Sequence, residues 1–189
     1  CEDSLTRLGV DCIDLFQIHR PDVLTHPGEV AEALSLLHEE GKIREVGVSN
    51  HTAAQTQSLQ SHLPLEIATI QPEFSAACTG PVFDGVFDQA LELGLTALAW
   101  GPLHGGRLVS GEGIRPELLA VLDQLAQREE VSRAAIAVAF VLAHPVSPVA
   151  IVGTSDPARL RELTRALKVT LERSDLYDII QASTGTRLP

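Results

Sequence analysis

A repeated pattern, in which a helical segment ends in glycine and a short apolar run follows, constrains the fold more than any other feature of the sequence. The glycines and the runs that follow them are Gly9 with 10–19, Gly41 with 42–50, and Gly94 with 95–100. Glycine just past the end of a helix adopts the left-handed backbone conformation at little steric cost. Each run is short and rich in β-forming residues, so the pattern predicts strands that alternate with helices.

The remaining segments extend this alternation to five strands. Two further apolar runs, 67–74 and 149–154, also fit strands, and Thr52 with Gln55 forms a capping box that opens a helix. The other predicted helices are 82–93, 117–128, 133–143, 158–168 and 175–182, together with one whose apolar face includes Val30, Leu34 and Leu37. Strict alternation of strands and helices predicts a parallel sheet with right-handed crossovers.

Five strands are too few to close a parallel barrel, for which about 250 residues are typical. An open doubly wound sheet is the alternative, but it usually carries a G-x-G-x-x-G turn after its first strand, and none follows 10–19. The sequence therefore predicts an α/β fold in one domain over 1–189, a partial (β/α)8 barrel with strands 4 to 8, their helices and a C-terminal helix. The first residue is Cys1 rather than Met, so we expect either a processed start or a piece of a longer protein.

Charge and residue spacing exclude several classes of function. The net charge is −11, from 14 basic and 25 acidic residues. Binding to nucleic acid or to an anionic membrane needs a basic surface, so we expect neither as a partner. The three cysteines lack C-x-x-C spacing, and no apolar run approaches the ~20 residues that span a bilayer, so we expect a cytoplasmic protein with reduced thiols. No two histidines have the H-x-H or H-E-x-x-H spacing of metal ligands, so we expect no metal site. The sequence has no G-x-S-x-G motif, which disfavours a serine hydrolase.

Polar, aromatic or glycine residues stand where each predicted strand ends. They are His19, Ser49 with Asn50, Gln71, Trp100, and Gly153 with Thr154. The carboxyl ends of the strands in a parallel barrel converge on one face, where active sites form. The sequence therefore predicts a binding site built from these residues.

The last strand leads into a helix start that is suited to an anion. Asp156 is a good N-cap and Pro157 fits the first helical position. Arg159 lies in the first turn, where the helix dipole disfavours a cation, so an anionic partner such as phosphate would explain it. The alternative is an exposed ion pair between Arg159 and Glu162.

The same segments resemble, in order, the strand signatures of the aldo-keto reductase family. Residues 8–11 and 14–22 are similar to the fourth-strand signature, 41–44 and 47–50 to the fifth, 71–75 to the sixth and 99–103 to the seventh. The resemblance covers almost the whole chain and is to a bacterial NADP-dependent subgroup with Trp at the end of the seventh strand. It implies a barrel enzyme that uses NADPH to reduce a small-molecule carbonyl substrate.

The resemblance also implies roles for individual residues. His19 would be the catalytic histidine that contacts the carbonyl oxygen, and Ser49, Asn50 and Gln71 would hold the nicotinamide carboxamide. Trp100 would stack on the nicotinamide ring. The remaining cofactor-binding residues would be Gly101, Leu103, Gly105 and Gly106 at the pyrophosphate, Gly153, Thr154 and Arg159 around the adenosine 2′-phosphate, and Glu162 near the adenine. Leu163 stands where the family often has Asn, which removes one expected adenine contact.

Three catalytic residues of the family have no counterpart in this sequence. The proton-donating Tyr, its Lys partner and the supporting Asp all precede the fourth strand, and the chain's own Tyr177, Lys42 and Lys168 match none of them. We therefore expect the 189 residues alone to be inactive and the intact parent protein to be a reductase. The alternative is a non-catalytic module that binds a nicotinamide cofactor or senses redox state.

Overall fold

Glycine ends three of the helices that precede strands, as the sequence pattern predicts. The computed structural model describes residues 1–188. In it Gly9, Gly41 and Gly94 have φ angles of 67°, 71° and 68°. All three lie in the left-handed region that glycine adopts without a steric penalty, so each helix stops there and the next strand begins.

Five strands are found within residues 1–188, and each pairs in parallel with the next along the chain. They are β1 (Ile13–Ile18), β2 (Ile43–Ser49), β3 (Ile67–Gln71), β4 (Thr96–Trp100) and β5 (Val149–Ile151). The sequential order is the one that right-handed crossovers through helices produce.

The α-helices of the same residues are α1 (Glu2–Leu8), α2 (Pro27–Glu39), α3 (Ala53–Gln60), α4 (Val86–Leu93), α5 (Arg107–Ser110), α6 (Pro116–Arg128), α7 (Arg133–Leu142), α8 (Pro157–Leu163) and α9 (Arg173–Thr184). Short 3-10 turns cover Gly80–Val82, His104–Gly106 and Thr164–Lys168. The predicted capping box is confirmed at Thr52, whose hydroxyl accepts from the backbone of Gln55 while the Gln55 side chain accepts from the backbone of Thr52.

The predicted elements occur with somewhat different bounds, and three of the differences have local causes. The third strand ends at Gln71, because Pro72 has no N–H for the ladder. The predicted helix 82–93 is broken by Gly85, whose φ of 85° separates a 3-10 turn from α4. The predicted helix 158–168 changes from α8 to a 3-10 turn at Thr164.

The described residues divide into two compact units. The first comprises Cys1–Pro72 and Asp84–Ala97, and the second comprises Glu73–Phe83 and residues 98–188. Strands β1 to β3 and the first two residues of β4 belong to the first unit. The rest of β4 pairs with β5 in the second.

Each unit has its own apolar core. In the first, the most deeply buried large side chains are those of Ile43, Val46, Val48 and Ile70, all on β2 and β3. In the second they come mainly from the helices and include Leu108, Leu118, Leu122, Ile136 and Ile179. Removing this apolar surface from water, at about 25 cal/mol per Å², is what holds the strand ends in fixed positions.

The prediction that residues 1–189 form a single domain stays a prediction. Over residues 1–188, no helix combines the length and apolar character that crossing a membrane requires.

Candidate functional site

Four of the predicted site residues form one hydrogen-bonded group in the first unit, at the carboxyl ends of β1, β2 and β3. The Asn50 side-chain amide donates to the His19 carbonyl at 3.0 Å and to the Ser49 hydroxyl at 3.1 Å. The Ser49 hydroxyl donates to the Gln71 carbonyl at 2.9 Å, and the Asn50 backbone N–H donates to the same carbonyl at 3.1 Å. The structure thus brings together the ends of three neighbouring strands, as the sequence predicts.

Backbone conformation at Asn50 makes this group possible. Its φ is 58°, a left-handed conformation that asparagine tolerates better than most non-glycine residues. The turn places the Asn50 side-chain amide against the His19 carbonyl at the end of β1, and its backbone N–H against the Gln71 carbonyl at the end of β3. His19 is exposed, and its imidazole makes no hydrogen bond to the residues that the structure describes. Both of its ring nitrogens are therefore available to a bound molecule.

The Gln71 side chain is held by residues that the sequence analysis did not select. Gln17, on β1, donates from Nε2 to Gln71 Oε1 at 2.9 Å. The Thr69 hydroxyl donates to Gln17 Oε1 at 3.0 Å. A signal for these contacts was present in Gly47, because a glycine in the middle of a strand often marks a close approach of other groups.

His51 is a second residue that the sequence analysis did not select. It is 8% exposed, and its Nδ1 lies 2.9 Å from the Ser49 carbonyl. Because a carbonyl oxygen only accepts, Nδ1 carries the proton, and in the neutral ring Nε2 is then an acceptor. Burial lowers the pKa of His51 from its usual value of 6.5. The ring also lines a cleft of about 230 Å³ between the β1–α2 loop and α3.

Trp100 ends β4 in the second unit, and the segment after β3 fixes its backbone. Glu73 forms an isolated parallel bridge with Trp100, and the Phe74 N–H donates to the Trp100 carbonyl at 3.1 Å. The Trp100 side chain is half-buried. Together these contacts fix the backbone of Trp100 at the carboxyl end of its strand.

The loop after Trp100 contains the predicted glycines in left-handed conformations. Gly101, Gly105 and Gly106 have φ angles of 66°, 65° and 87°. His104, which the sequence analysis did not select, joins them with a φ of 49°, and its Nδ1 lies 3.2 Å from the Glu73 carboxylate. Leu103 accepts from the Gly106 N–H at 2.9 Å, so this loop is a chain of tight turns that leads into α5.

The helix start after β5 has the predicted cap. Asp156 accepts from the Ala158 N–H at 2.8 Å, Pro157 occupies the first helical position, and Thr154 Oγ1 accepts from the Asp156 N–H at 3.2 Å. Gly153 is exposed, with open space around its Cα. Arg159 is 78% exposed at its side chain and lies 3.5 Å from the Asp156 carboxylate.

The partners of Glu162 are Ser132 and Arg165, and not Arg159 as in the alternative that the sequence left open. Its carboxylate accepts from the Ser132 N–H at 3.3 Å and lies 3.6 Å from Arg165. Those contacts lower the pKa of Glu162, chiefly through the bond from Ser132. The alternative, an ion pair between Arg159 and Glu162, is therefore replaced by two separate pairs, Arg159 with the N-cap Asp156 and Arg165 with Glu162.

Comparison with known proteins agrees with these observations. The family model described as the aldo/keto reductase family matches residues 1–183. A 6-dehydroglucose reductase from Novosphingobium aromaticivorans is 47% identical over 189 residues, which are 100% of this chain and 62% of that protein. The oxidoreductase YdhF of Escherichia coli is 38% identical over 191 residues, covering 100% of this chain and 63% of its own length.

A solved structure supports the fold directly. A thermostable aldo-keto reductase in complex with the inhibitor epalrestat has a TM-score of 0.87 and 25% sequence identity, over 96% of this chain and 64% of that one. The match and the five sequential parallel strands confirm the predicted fold class, α/β with strands 4 to 8 of a (β/α)8 barrel. The chain spans less than two thirds of the length of each of these proteins.

Proposed function

The chain belongs to the aldo/keto reductase family, and from this membership we propose that it supplies the cofactor-binding part of an NADPH-dependent oxidoreductase that reduces aldehydes or ketones to alcohols. The observation that carries the proposal is the hydrogen-bonded group of His19, Ser49, Asn50 and Gln71 at three neighbouring strand ends. Such a group places amide side chains and a histidine at neighbouring strand ends, which suits a carboxamide and a carbonyl oxygen.

The donor set fits a nicotinamide carboxamide. Gln71 Oε1 is engaged by Gln17, whereas Gln71 Nε2 makes no hydrogen bond to the residues that the structure describes. Gln71 can therefore donate to the carboxamide oxygen. Ser49 is almost fully buried and uses its hydroxyl to hold the backbone of Gln71, so we assign it a supporting role rather than a direct contact.

When bound, the cofactor supplies the hydride that reduces the carbonyl carbon. His19 would donate a hydrogen bond from its imidazole to the carbonyl oxygen, where negative charge develops. Asn50 fixes the backbone of His19 through the carbonyl of that residue, so the ring starts from a defined position. In the second unit, the indole face of Trp100 is suited to stacking on an aromatic ring.

The preference for NADPH rests on Arg159. Its present partner, Asp156, is exposed, and an exposed ion pair at 3.5 Å is worth little free energy. A 2′-phosphate offers Arg159 two charge-assisted hydrogen bonds, which are stronger, and Thr154 stands two residues before the cap in the same segment. Exchange of the carboxylate for a phosphate is therefore favourable.

The substrate class that we propose is a small hydroxylated aldehyde. The support is the relative at 47% identity, which is named for its reduction of 6-dehydroglucose. Hydroxyl groups need hydrogen-bond partners near the reacting carbonyl, and the exposed ring of His19 can serve the carbonyl itself.

Titration of the protein with NADPH and NADH by calorimetry tests the cofactor proposal. In Arg159→Ala we expect affinity for NADPH to fall about 10- to 100-fold, because a charge-assisted hydrogen bond is worth about 1.5–3 kcal/mol. Affinity for NADH should not change. Arg161→Ala, which removes another exposed arginine of α8, is the matched control and should leave both affinities unchanged. Equal losses for the two cofactors, or no binding of either, would contradict the proposal.

A non-catalytic nicotinamide-binding module is the second candidate. Tyr177 lies on α9, where its hydroxyl accepts from Arg173 at 3.1 Å. Lys42 lies 2.7 Å from both Glu2 and Glu40, and these hydrogen bonds raise its pKa. Both side chains are thus engaged in contacts of their own. In the intact parent protein, oxidation of NADPH on addition of a hydroxylated aldehyde would support the reductase, and binding without oxidation would support the module.

A further inference from the structure

We propose that Gln17 is a positioning residue, which holds the side-chain amide of Gln71 with its Nε2 directed away from β1 by bridging over Gly47. The contacts are all within the first unit and do not depend on a cofactor. The consequence for nicotinamide binding rests on the function proposed above.

The bridge spans two strands. Gln17 on β1 is the register partner of Gly47 on β2, and Gly47 is the register partner of Thr69 on β3. Neighbouring strands are about 4.8 Å apart, so Gln17 meets the side chains of Thr69 and Gln71 across a gap of close to 10 Å between β1 and β3. It can do so only because the residue that it crosses has no side chain. A Cβ at position 47 would stand 2.1 Å from Thr69 Oγ1, in the space that the bridge occupies.

The two amides can pair in only two complementary ways. A primary amide has an acceptor end and a donor end, so a Gln17 that donates to Gln71 forces Gln71 to accept with its oxygen. In this structure the Thr69 hydroxyl donates to Gln17 Oε1 at 3.0 Å, and Gln17 Nε2 donates to Gln71 Oε1 at 2.9 Å. Thr69 and Gly47 are buried, so water competes little for these bonds.

The orientation determines what Gln71 offers to a ligand. With Oε1 engaged, the Nε2 hydrogens are the free end, and the side chain acts as a donor. A carboxamide or acyl oxygen of a bound ring would be recognised, and a ring without such an oxygen would gain nothing from Gln71. Replacement of Gln17 by leucine removes the bridge, whereas Gln17→Glu offers only acceptors and should turn the Nε2 end of Gln71 inward.

The first test reads the Gln71 amide without any cofactor. Side-chain ¹⁵N–¹H resonances of Gln71 can be followed in protein labelled with ¹⁵N-glutamine and assigned with Gln71→Leu. In Gln17→Glu we expect the Gln71 NH₂ protons to move downfield, because one of them then donates to a carboxylate. In Gln17→Leu the two protons should approach the shifts of a solvated glutamine. Resonances of Gln71 that do not move in either variant would overturn the inference.

The second test compares NADPH with 2′-phospho-ADP-ribose, which lacks the nicotinamide. In Gln17→Leu we expect affinity for NADPH to fall about tenfold, the value of one lost or disordered hydrogen bond, with no change for 2′-phospho-ADP-ribose. Gln89→Leu is the matched control: it removes a buried glutamine of the same unit that donates to the Ala53 carbonyl, away from the strand ends. It should lower stability and leave the ratio of the two affinities unchanged.

The two tests separate failure of the inference from failure of the proposed function. If the resonances of Gln71 respond to Gln17 and wild-type protein does not bind NADPH, the positioning role stands and the proposed function fails. If wild-type protein binds NADPH more tightly than 2′-phospho-ADP-ribose and Gln17→Leu keeps the same ratio, Gln17 does not position the nicotinamide contact. An equal loss of affinity for both ligands would show a general structural role and would also overturn the inference.

Discussion

Substitution of Gly47 by alanine tests the packing of the first unit at its tightest point. The new Cβ would stand 2.1 Å from Thr69 Oγ1, 2.9 Å from Gln17 Cγ and 3.0 Å from Gln17 Oε1. Gly47 is not among the glycines with a positive φ, so its backbone accepts alanine and the cost is steric. Contacts of a Cβ below 3.0 Å essentially never occur, so Thr69 or Gln17 must move.

The size of the effect follows from what has to move. Thr69 Oγ1 must retreat by about 1 Å, which for a β-branched side chain means a change of χ1 and loss of its hydrogen bond to Gln17. Overpacking of this kind costs about 1–3 kcal/mol. Replacing glycine by alanine returns about 0.4–1 kcal/mol, because it reduces the freedom of the unfolded chain. We therefore expect the free energy of unfolding to fall by about 1–2 kcal/mol.

Urea unfolding followed by far-UV circular dichroism measures this change. Gly153→Ala is the matched control, because Gly153 has no positive φ and nothing within 4 Å of the added Cβ, and it should be neutral or slightly stabilising. Thr69→Ala removes the clashing atom, so Gly47→Ala should be less damaging in that background, with a coupling of about 1 kcal/mol. Equal stabilities of Gly47→Ala and Gly153→Ala, or strict additivity with Thr69→Ala, would refute the reasoning.

Two further predictions concern the dependence of stability on pH. Burial lowers the pKa of His51 below its unfolded value of 6.5, so the unfolded state binds a proton first as pH falls. The free energy of unfolding should therefore decrease as pH falls from about 6.5 to the lower folded pKa. His51→Asn can still donate to the Ser49 carbonyl, and it should remove this part of the pH dependence between pH 7.5 and pH 5.5 in urea titrations. Asp175 accepts from both terminal nitrogens of Arg128 at 2.9 and 2.7 Å, which lowers the pKa of its carboxyl below 3.8, so its contribution is present above that pH and is lost as pH falls through the folded pKa. Asp175→Asn should therefore lower stability at neutral pH by about 1–3 kcal/mol, whereas the same change at the exposed Asp178 of the same helix should have almost no effect; equal effects would contradict the role of the Arg128 pair.

The order and type of the strands and helices could be predicted because the signals for them are local. Glycine at a helix end, apolar runs and the capping box at Thr52 each act within a few residues. The exact bounds of the strands and helices could not be predicted, because they depend on single residues in context. Pro72 ends β3, and Gly85 divides a predicted helix, although an isolated glycine does not always do so.

The candidate site was predictable as a set of residues and not as a set of contacts. His19, Asn50 and Gln71 were identified because each ends a strand. Gln17 and Thr69 were missed because they are 52 residues apart and meet only through the pairing of β1, β2 and β3. The register between strands is fixed by tertiary packing. The pairing of β2 with β3 also shifts between Val46 and Gly47, and no local sequence pattern predicts that shift.

The two rows of residues on this sheet explain why the missed residues affect the predicted ones. Side chains two positions apart on a strand share a face, so Gln17 lies below His19, Gly47 below Ser49, and Thr69 below Gln71. In the upper row His19 and Gln71 would offer hydrogen bonds to a ligand, and the lower row would hold Gln71 so that its donor end is the free one. A variant that keeps the upper row and makes the lower row apolar would retain every residue predicted from the strand ends and would lose the fixed orientation of Gln71. Identity at the strand ends is therefore necessary for the proposed binding, and the second row supplies the preorganisation that makes it specific.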